Sequence, residues 1–260
     1  MRFPVKLVLA LFSLAALGPV PARAADPFAL WKIVHDKCVP NEEAHQDSYP
    51  CTKVDLEGGV ARGYVVLKDI EGRSQYLVLP TARVTGIESP LLLAPDAPNY
   101  FADAWHEIGR VGHALGAPLG IDELSLAVNS ALGRSQNQLH IHLDCVRADV
   151  REILWKQLGA IGPHWAPLGA PLLGHRYLAM RVLAPDLDKI DPFKLLAQGI
   201  PAARASMDQW TLVVVGIMTD GYVPGFVILA GHVDPATDDW ASGEELQDHD
   251  CALAEPAAEP

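Results

Sequence analysis

The sequence has no run of positive charge. Among its 260 residues, 20 lysines and arginines stand against 32 aspartates and glutamates, a formal net charge of −12. Proteins that bind a nucleic-acid backbone need a basic stripe or patch, so nucleic acid is excluded as a partner. Charged residues make up 20% of the chain and hydrophobic residues 50%. This balance excludes a disordered chain and predicts a folded one with a sizeable core.

The sequence also lacks an apolar run long enough for an ordinary membrane-spanning helix. The longest run, Leu7–Val20, is shorter than the ~20 residues that a span needs. It follows the basic start MRFPVK and precedes Ala22-Arg23-Ala24, a small-residue cleavage pattern. Residues 1–24 are therefore predicted to be a signal peptide or an uncleaved signal anchor, and the body of the protein to be exported.

Cysteine is scarce, with Cys38, Cys51, Cys145 and Cys251 alone. An even number in an exported chain predicts two disulfides, for which three connectivities are possible. We favour Cys38–Cys51, which is local, together with Cys145–Cys251, which ties the tail to the body. A cysteine nucleophile is the competing interpretation.

Hydrophobic periodicity predicts a mixed, α+β fold. Alternating or β-branched segments predict strands, and apolar positions at helical spacing after Asn99 predict a helix that Gly116 ends. A loop is expected over 40–51 and a helix over 147–158. The predicted strands of this half are Gly63–Lys68, Gln75–Leu79, Leu124–Val128 and Asn137–Cys145.

The same order of elements recurs in the second half. Strands are predicted at Tyr177–Met180, Trp210–Ile217 and Phe226–Ala230, with a helix over Pro192–Met207. We therefore divide the chain into a catalytic half (25–158), a degenerate second half (159–234) and an acidic tail (235–260) that is expected to be flexible apart from Cys251. Aligning the glycine turns places Ile228 and Ala230 where His140 and His142 stand.

The most unusual segment is Asn137–Cys145, N-Q-L-H-I-H-L-D-C. On a strand, His140, His142 and Asp144 would share one face and Cys145 would lie on the other. Burying three polar groups together is costly unless they satisfy one another or perform a function. Two functions are open: an H-x-H-x-D metal site, and nucleophilic attack by an imidazole on phosphorus. The metallo-β-lactamase motif would require a histidine where Cys145 stands.

The segment Gly133–Val146 resembles the nucleotide-binding segment of the histidine-triad (HIT) superfamily, H-φ-H-φ-H-φ-φ after a glutamine-containing turn. The resemblance covers roughly residues 60–147. With the signal-like N-terminus and the second half, it is closest to the CDP-diacylglycerol pyrophosphatase family. It implies a HIT-like antiparallel sheet with helices, duplicated as a pseudo-dimer with one degenerate copy. It also implies cleavage of CDP-diacylglycerol to phosphatidate and CMP, in phospholipid metabolism.

The resemblance assigns roles by position. His142 is the expected nucleophile, forming a covalent nucleotidyl-histidine intermediate, and His140 would orient and support it. Asn129 and Gln136 match positions that contact phosphate, and Asn137 lies beside them as a further expected substrate-binding residue.

Two carboxylates complete the expected site. Asp69 matches the acid that holds the ribose hydroxyls. Asp144 departs from the pattern because it replaces the third histidine, and a carboxylate would repel a diphosphate. Either the departing phosphatidate needs little protonation, or Asp144 is turned away and paired with an arginine such as Arg147.

No cofactor or metal is implied by the resemblance. The expected partner is CDP-diacylglycerol at the periplasmic side of a bacterial inner membrane, with the protein held there by its anchor or by apolar loops such as Leu91–Leu93. The protein is expected to be a monomer or a homodimer. A periplasmic metallohydrolase and a non-catalytic nucleotide- or lipid-binding module are the alternative functions.

Overall fold

A computed structural model describes residues 26–254, so the predicted signal segment lies outside the described residues. Ten antiparallel strands form one sheet in the order β1-β2-β3-β5-β4-β8-β9-β7-β6, and β10 pairs with β5 off this path. The strands are β1 (Lys53–Asp55), β2 (Tyr64–Lys68), β3 (Tyr76–Pro80), β4 (Leu124–Val128), β5 (Ile141–Val146), β6 (Ala166–Pro167), β7 (Tyr177–Val182), β8 (Trp210–Thr219), β9 (Val223–His232) and β10 (Gln247–Asp248). The predicted α+β class is confirmed.

The helices are short and mostly cover the two faces of the sheet. They are α1 (Ala29–Ile33), α2 (Val39–His45), α3 (Tyr100–His106), α4 (Gly109–Leu115), α5 (Ala148–Gln157), α6 (Pro192–Gly199) and α7 (Pro201–Ala205), and a π-helical stretch, Val34–Cys38, joins the first two. Between Asp26 and Ala254 no helix has the length and apolar character needed to cross a membrane.

Helix boundaries differ from the predictions in three places. The side chain of Asn99 caps α3 by accepting from the backbone N–H of Ala102, as expected, but a break before Gly109 divides the predicted helix into α3 and α4. Pro201 interrupts the second long helix because it has no N–H to continue the hydrogen-bond ladder. Residues 40–45, predicted as the start of a loop, belong to α2.

Each face of the sheet packs against different helices. On one face, Phe101 of α3 and Phe193 of α6 pack in a cluster with Ile141 of β5. On the other face, Val150 and Leu154 of α5 cover the centre of the sheet.

Both favoured disulfides are formed, Cys38–Cys51 and Cys145–Cys251, which confirms the predicted connectivity. All four cysteines are buried. Cys145 packs in the cluster on the face opposite the histidines.

The strand order is symmetric about the β4–β8 pair, since β5 and β3 follow on one side and β9 and β7 on the other. This matches the predicted repeat of elements, while the origin of the halves by duplication stays a prediction. The residue alignment between the halves was wrong, because it matched residues that lie on opposite faces of the sheet. His142 pairs with Ala127, Ala127 with Val213, and Val213 with Leu229, so Leu229 shares the face of His142.

Ile228 and Ala230 instead pack in the cluster that contains Ile141, on the opposite face. A shift of one residue in the alignment of a strand exchanges its two faces, and a weak sequence alignment does not detect such a shift.

The predicted flexible tail was also wrong for residues 235–254. β10 pairs with β5, and Leu246 is fully buried. At Gly243 an added Cβ would lie 2.4 Å from Oγ1 of Thr211 and 2.6 Å from Cγ2 of Val213, so only glycine lets the segment approach β8 this closely. We call residues 242–251 the C-terminal strap; it runs across the face that carries the histidines.

Candidate active site

His142 is the second residue of β5 and is only 4% exposed; the strand begins at Ile141, so His140 lies just before it rather than within it as predicted. Its strand neighbours are Leu77 of β3 and Ala127 of β4. The ring of His140 packs edge-on against it, with the ring centroids 4.8 Å apart. Nδ1 of His140 donates to the carbonyl of Gln138 at 2.7 Å, which fixes the ring, and burial lowers its pKa. The two predicted catalytic histidines are therefore adjacent.

The two nitrogens of His142 have different surroundings. Nδ1 lies 3.3 Å from Oε1 of Glu244 and 3.1 Å from Nε2 of Gln75, which itself donates to that oxygen at 3.1 Å. We assign the proton to Nδ1 because an ionised carboxylate can only accept; the amide nitrogen of Gln75 is also a donor and then makes no hydrogen bond to Nδ1. Nε2 is buried, and within residues 26–254 it has no hydrogen-bond partner.

Burial lowers the pKa of His142 to about 4, although the Glu244 carboxylate opposes the shift. The ring is therefore neutral at pH 7, so the 3.3 Å approach of its Nδ1 to Oε1 of Glu244 is not an ion pair. A neutral imidazole with one nitrogen engaged and the other free is the form that a nucleophilic histidine requires.

Glu244 is held in place by the strand ends around it. Nδ2 of Asn129 donates to Oε2 of Glu244 at 3.1 Å, and the backbone N–H of Glu244 donates to Oδ1 of Asn129 at 3.1 Å. Burial alone would raise the pKa of Glu244, but His142 and the amides of Gln75 and Asn129 outweigh it and hold that pKa below the usual range. Glu244 is thus an ionised acceptor fixed beside the central histidine.

Asp144 is fully buried and does not face the site as a free carboxylate. Oδ1 accepts from Oγ of Ser74 at 2.8 Å and from the backbone N–H of Cys145 at 2.9 Å. Oδ2 pairs with Nδ1 of His249 at 2.8 Å. The suggested arginine partner was wrong, because Arg147 pairs with Asp149.

Asp69 lies in the β2–β3 hairpin, beside the same site. Its Oδ1 accepts from the backbone N–H of Glu71 at 3.1 Å. Its charge acts to raise the pKa of both His142 and His249, which requires proximity to both rings. Its contact with ribose stays a prediction.

Gln136 and Asn137 are engaged elsewhere. The side chain of Gln136 accepts from the backbone N–H of Leu30 at 3.1 Å and donates to the carbonyl of Asp26 at 3.0 Å. The backbone N–H of Asn137 donates to the carbonyl of Pro27 at 2.7 Å. These contacts join the turn before β5 to the segment 26–30 and do not reach the histidines, so the phosphate-binding roles of both residues stay predictions.

Comparison with known proteins identifies the family. A model of the family described as CDP-diacylglycerol pyrophosphatase matches residues 25–255. A protein of Yersinia pestis named CDP-diacylglycerol pyrophosphatase is 40% identical over 246 residues, which cover 95% of this chain and 92% of that protein.

The chain belongs to the CDP-diacylglycerol pyrophosphatase family. This confirms the predicted family, whereas its wider relation to the HIT superfamily stays a prediction. The match includes the C-terminal strap, so the family extends beyond the segment that carried the resemblance.

Three residues of this family member's site were missed by the sequence analysis: Gln75, Glu244 and His249. The last two were assigned to a flexible tail. One signal was available, because the favoured Cys145–Cys251 disulfide places His249 close to Asp144 in any fold that contains it. The strand pattern alone gave no reason to connect residues more than 100 positions apart.

The side chains proposed as metal ligands do not converge. Asp144 pairs with Ser74 and His249, His140 with Gln138, and His142 with Glu244. In the described part of the chain, no group of three or more histidine, cysteine, aspartate or glutamate side chains is arranged to hold a metal ion.

Proposed function

We propose that this protein hydrolyses CDP-diacylglycerol to phosphatidate and CMP, with His142 as covalent nucleophile. By its family it is an enzyme, a hydrolase that acts on a diphosphate bond. The observation that carries the proposal is the asymmetry of His142. Its Nδ1 faces an ionised carboxylate, whereas its buried Nε2 has no partner among residues 26–254.

In the first step, Nε2 of His142 attacks the phosphorus of the CMP moiety. An N–P bond forms and the P–O bond to phosphatidate breaks. The ring becomes a cationic phosphoimidazole with its proton still on Nδ1. Glu244, 3.3 Å from Nδ1, stabilises that charge, as an orienting carboxylate does beside a catalytic histidine.

In the second step, water attacks the same phosphorus. The N–P bond breaks, CMP leaves, and the neutral ring returns with its lone pair on Nε2. Burial makes this return favourable because it disfavours the charged ring, the same effect that lowers the pKa of His142.

Polar groups around the ring would hold the substrate. We assign the amide of Asn129 to the phosphates and Asp69 to the ribose hydroxyls. Gln136 would join the phosphate site by exchanging its contacts with the segment 26–30 for contacts with the substrate. Asn137 would do so by releasing the side chain of Arg134, which donates to its Oδ1.

The lipid substrate places the reaction at a membrane surface, which we propose to be the periplasmic side of a bacterial inner membrane. Two exposed apolar side chains support a location at a membrane surface. Phe28 is 42% exposed and Leu132 is 59% exposed, and they lie on the two segments that meet at Gln136. The disulfides suit an oxidising compartment outside the cytoplasm.

The test is the rate of CMP release from CDP-diacylglycerol in detergent micelles. His142→Ala should lower kcat/KM by about 10⁴-fold or more, the scale for loss of a covalent nucleophile. His113→Ala, at an exposed position on α4, is the matched control and should keep the parental rate. A His142→Ala enzyme as fast as the parent would contradict the proposal, and loss of the parental rate with chelator would favour a metallohydrolase.

A further inference from the structure

The third position of the histidine motif holds the carboxylate of Asp144, and an imidazole from another part of the chain lies against that carboxylate. Asp144 follows His142 by two residues on the same strand face, and its Oδ2 pairs with Nδ1 of His249 at 2.8 Å. The ring comes from the C-terminal strap, 105 residues later in the chain.

We infer that His249 is a catalytic residue that protonates the phosphatidate oxygen as it leaves. Asp144 is then the positioning residue that holds the His249 ring. The inference rests on the proposed function, which it deepens by assigning the acid of the first step.

His249 is held at its ring, at its backbone carbonyl and at its Cβ. Asp144 engages its Nδ1, the backbone N–H of Arg73 donates to the His249 carbonyl at 3.1 Å, and Gly72 of the β2–β3 hairpin packs against its Cβ. The adjoining β10 pairing and the Cys145–Cys251 disulfide hold the strap on both sides of these contacts. Such support gives a catalytic side chain one defined orientation.

Exposure indicates which atom of the ring serves the substrate. The side chain of His249 is 36% exposed, whereas those of His142 and Asp144 are 6% and 0% exposed. With Nδ1 occupied, Nε2 is the atom left to act; it lies 3.6 Å from Oε1 of Glu244, the oxygen that faces His142. His249 therefore lies beside the same carboxylate oxygen as the nucleophile, and it is the more exposed of the two rings.

The negative charges around His249 favour its protonated form, which is the form that a general acid needs. The ionisable groups that face it are the carboxylates of Asp144 on β5, Glu244 on the strap and Asp69 in the hairpin, with the neutral His142 beyond Glu244. The hydrogen bond to Asp144 is the largest influence raising the pKa of His249; burial opposes it. An imidazolium also offsets carboxylates that would otherwise repel a diphosphate.

The proton balance closes over the two steps. As the P–O bond breaks, the Nε2 proton of His249 passes to the phosphatidate oxygen, and His249 becomes neutral. In the second step neutral His249 takes a proton from the attacking water, and the oxygen of that water bonds to phosphorus. Both residues return to their starting states, and one water is consumed per CMP and phosphatidate released.

The experiment compares CDP-diacylglycerol with its analogue that carries sulfur in place of the bridging oxygen on the phosphatidate side. His249→Gln should lower kcat on CDP-diacylglycerol by about tenfold or more; this is less than the usual contribution of a general acid, because a phosphate monoester oxygen has a second pKa of only about 6. It should change the rate on the sulfur analogue by less than about threefold, because the sulfur is a poorer proton acceptor and leaves without a proton. Asp250→Asn, at the exposed next position, is the matched control and should leave both rates unchanged.

The pH profile gives a second readout that a purely structural role would not move. The parental kcat should fall as pH rises through the raised pKa of His249, and His249→Gln should abolish that limb. Asp144→Asn should move the limb to lower pH, since it removes the charge that keeps His249 protonated.

Equal losses on both substrates, or an unchanged rate on CDP-diacylglycerol, would overturn the inference while leaving the proposed function intact. A parent that does not hydrolyse CDP-diacylglycerol would overturn both. Circular dichroism and thermal unfolding of each variant would identify a loss that comes from misfolding.

Discussion

One cross-strand row of the sheet carries a histidine in one half of the molecule and a leucine in the other. From His142 of β5 the row passes through Ala127 and Val213 to Leu229 of β9, and the strands beyond these two add apolar residues. Leu229 packs in the cluster that α5 covers. His142 instead meets Glu244 of the C-terminal strap.

The difference shows how one strand arrangement serves two purposes. Where a helix supplies apolar cover, the row adds only to the core. Where the polar strap covers it, a histidine can be buried with one nitrogen engaged and the other free. The covering element, as much as the strand, therefore defines the site.

Glu244 and Glu245 are neighbours on the strap, but they contact different halves of the molecule. Substituting them separately tests the comparison, and the largest effect on kcat is expected at Glu244. Glu244→Ala should lower kcat by about 10³-fold, because it removes the acceptor that fixes the His142 proton on Nδ1. Glu245 faces the second half, where it accepts from Nδ1 of His175 at 2.7 Å and from the Tyr177 hydroxyl at 2.9 Å.

Glu245→Ala should therefore lower the melting temperature and leave kcat within about twofold. Steady-state kinetics on both variants, corrected for folded fraction, measures the contrast. Equal kcat for Glu244→Ala and the parent would contradict the role given to the strap.

Leu229 provides the converse change in the second half. Leu229→Ala should reduce the free energy of unfolding by about 2–5 kcal/mol, since it removes a fully buried side chain from the core. The activity of the folded enzyme should stay the same. Urea unfolding measures the first effect, with exposed Leu183→Ala as the control. A large fall in kcat would mean that the second half contributes to catalysis directly.

Much of the fold could be predicted from local pattern. Leu124–Val128 was predicted with the bounds it has, because a fully buried strand bordered by polar residues is a clear signal. The two disulfides and the adjacency of His140 and His142 were also predictable. The sequence did not predict which face of the sheet Leu229 occupies, since a weak sequence alignment between the halves cannot fix the strand register to one residue.

The strap could not be predicted either. Its acidic, apolar-poor composition resembles a solvated tail, and its order depends on contacts with residues more than 100 positions away, such as that between His249 and Asp144. Only the disulfide at Cys251 pointed to it.

Adding one methyl group to the strap at Gly243 tests how closely the strap must approach the sheet. Gly243→Ala would place a carbon against Thr211 and Val213, so we expect a loss of about 1–3 kcal/mol in stability and a lower kcat from displaced Glu244. Gly159→Ala is the control, because an added Cβ there has nothing within 4 Å. Unchanged stability and kcat in Gly243→Ala would show that the strap tolerates displacement.

The smallest expected effect is that of mild acid. Because the pKa of His142 is about 4, about a tenth of kcat/KM should be lost at pH 5, and the rate should fall about tenfold per pH unit well below 4. An acid limb near pH 6.5 would mean that the ring is not shielded from water as the structure has it.

The lowered pKa also sets the sign of the effect on stability. The unfolded chain binds a proton at this histidine near pH 6.5, whereas the folded protein does so only near pH 4. Protonation therefore favours the unfolded state. The free energy of unfolding therefore keeps its full value above pH 6.5 and decreases as the pH falls from 6.5 to about 4.

The most direct test of the central claim is to trap the intermediate. Protein mixed with CDP-diacylglycerol labelled in the cytidine phosphate would be quenched within milliseconds in alkali, and its peptides mapped by mass. We expect a CMP adduct on His142 that is stable to base and labile to acid. Release of CMP with no adduct, or an adduct on another residue, would contradict the claim.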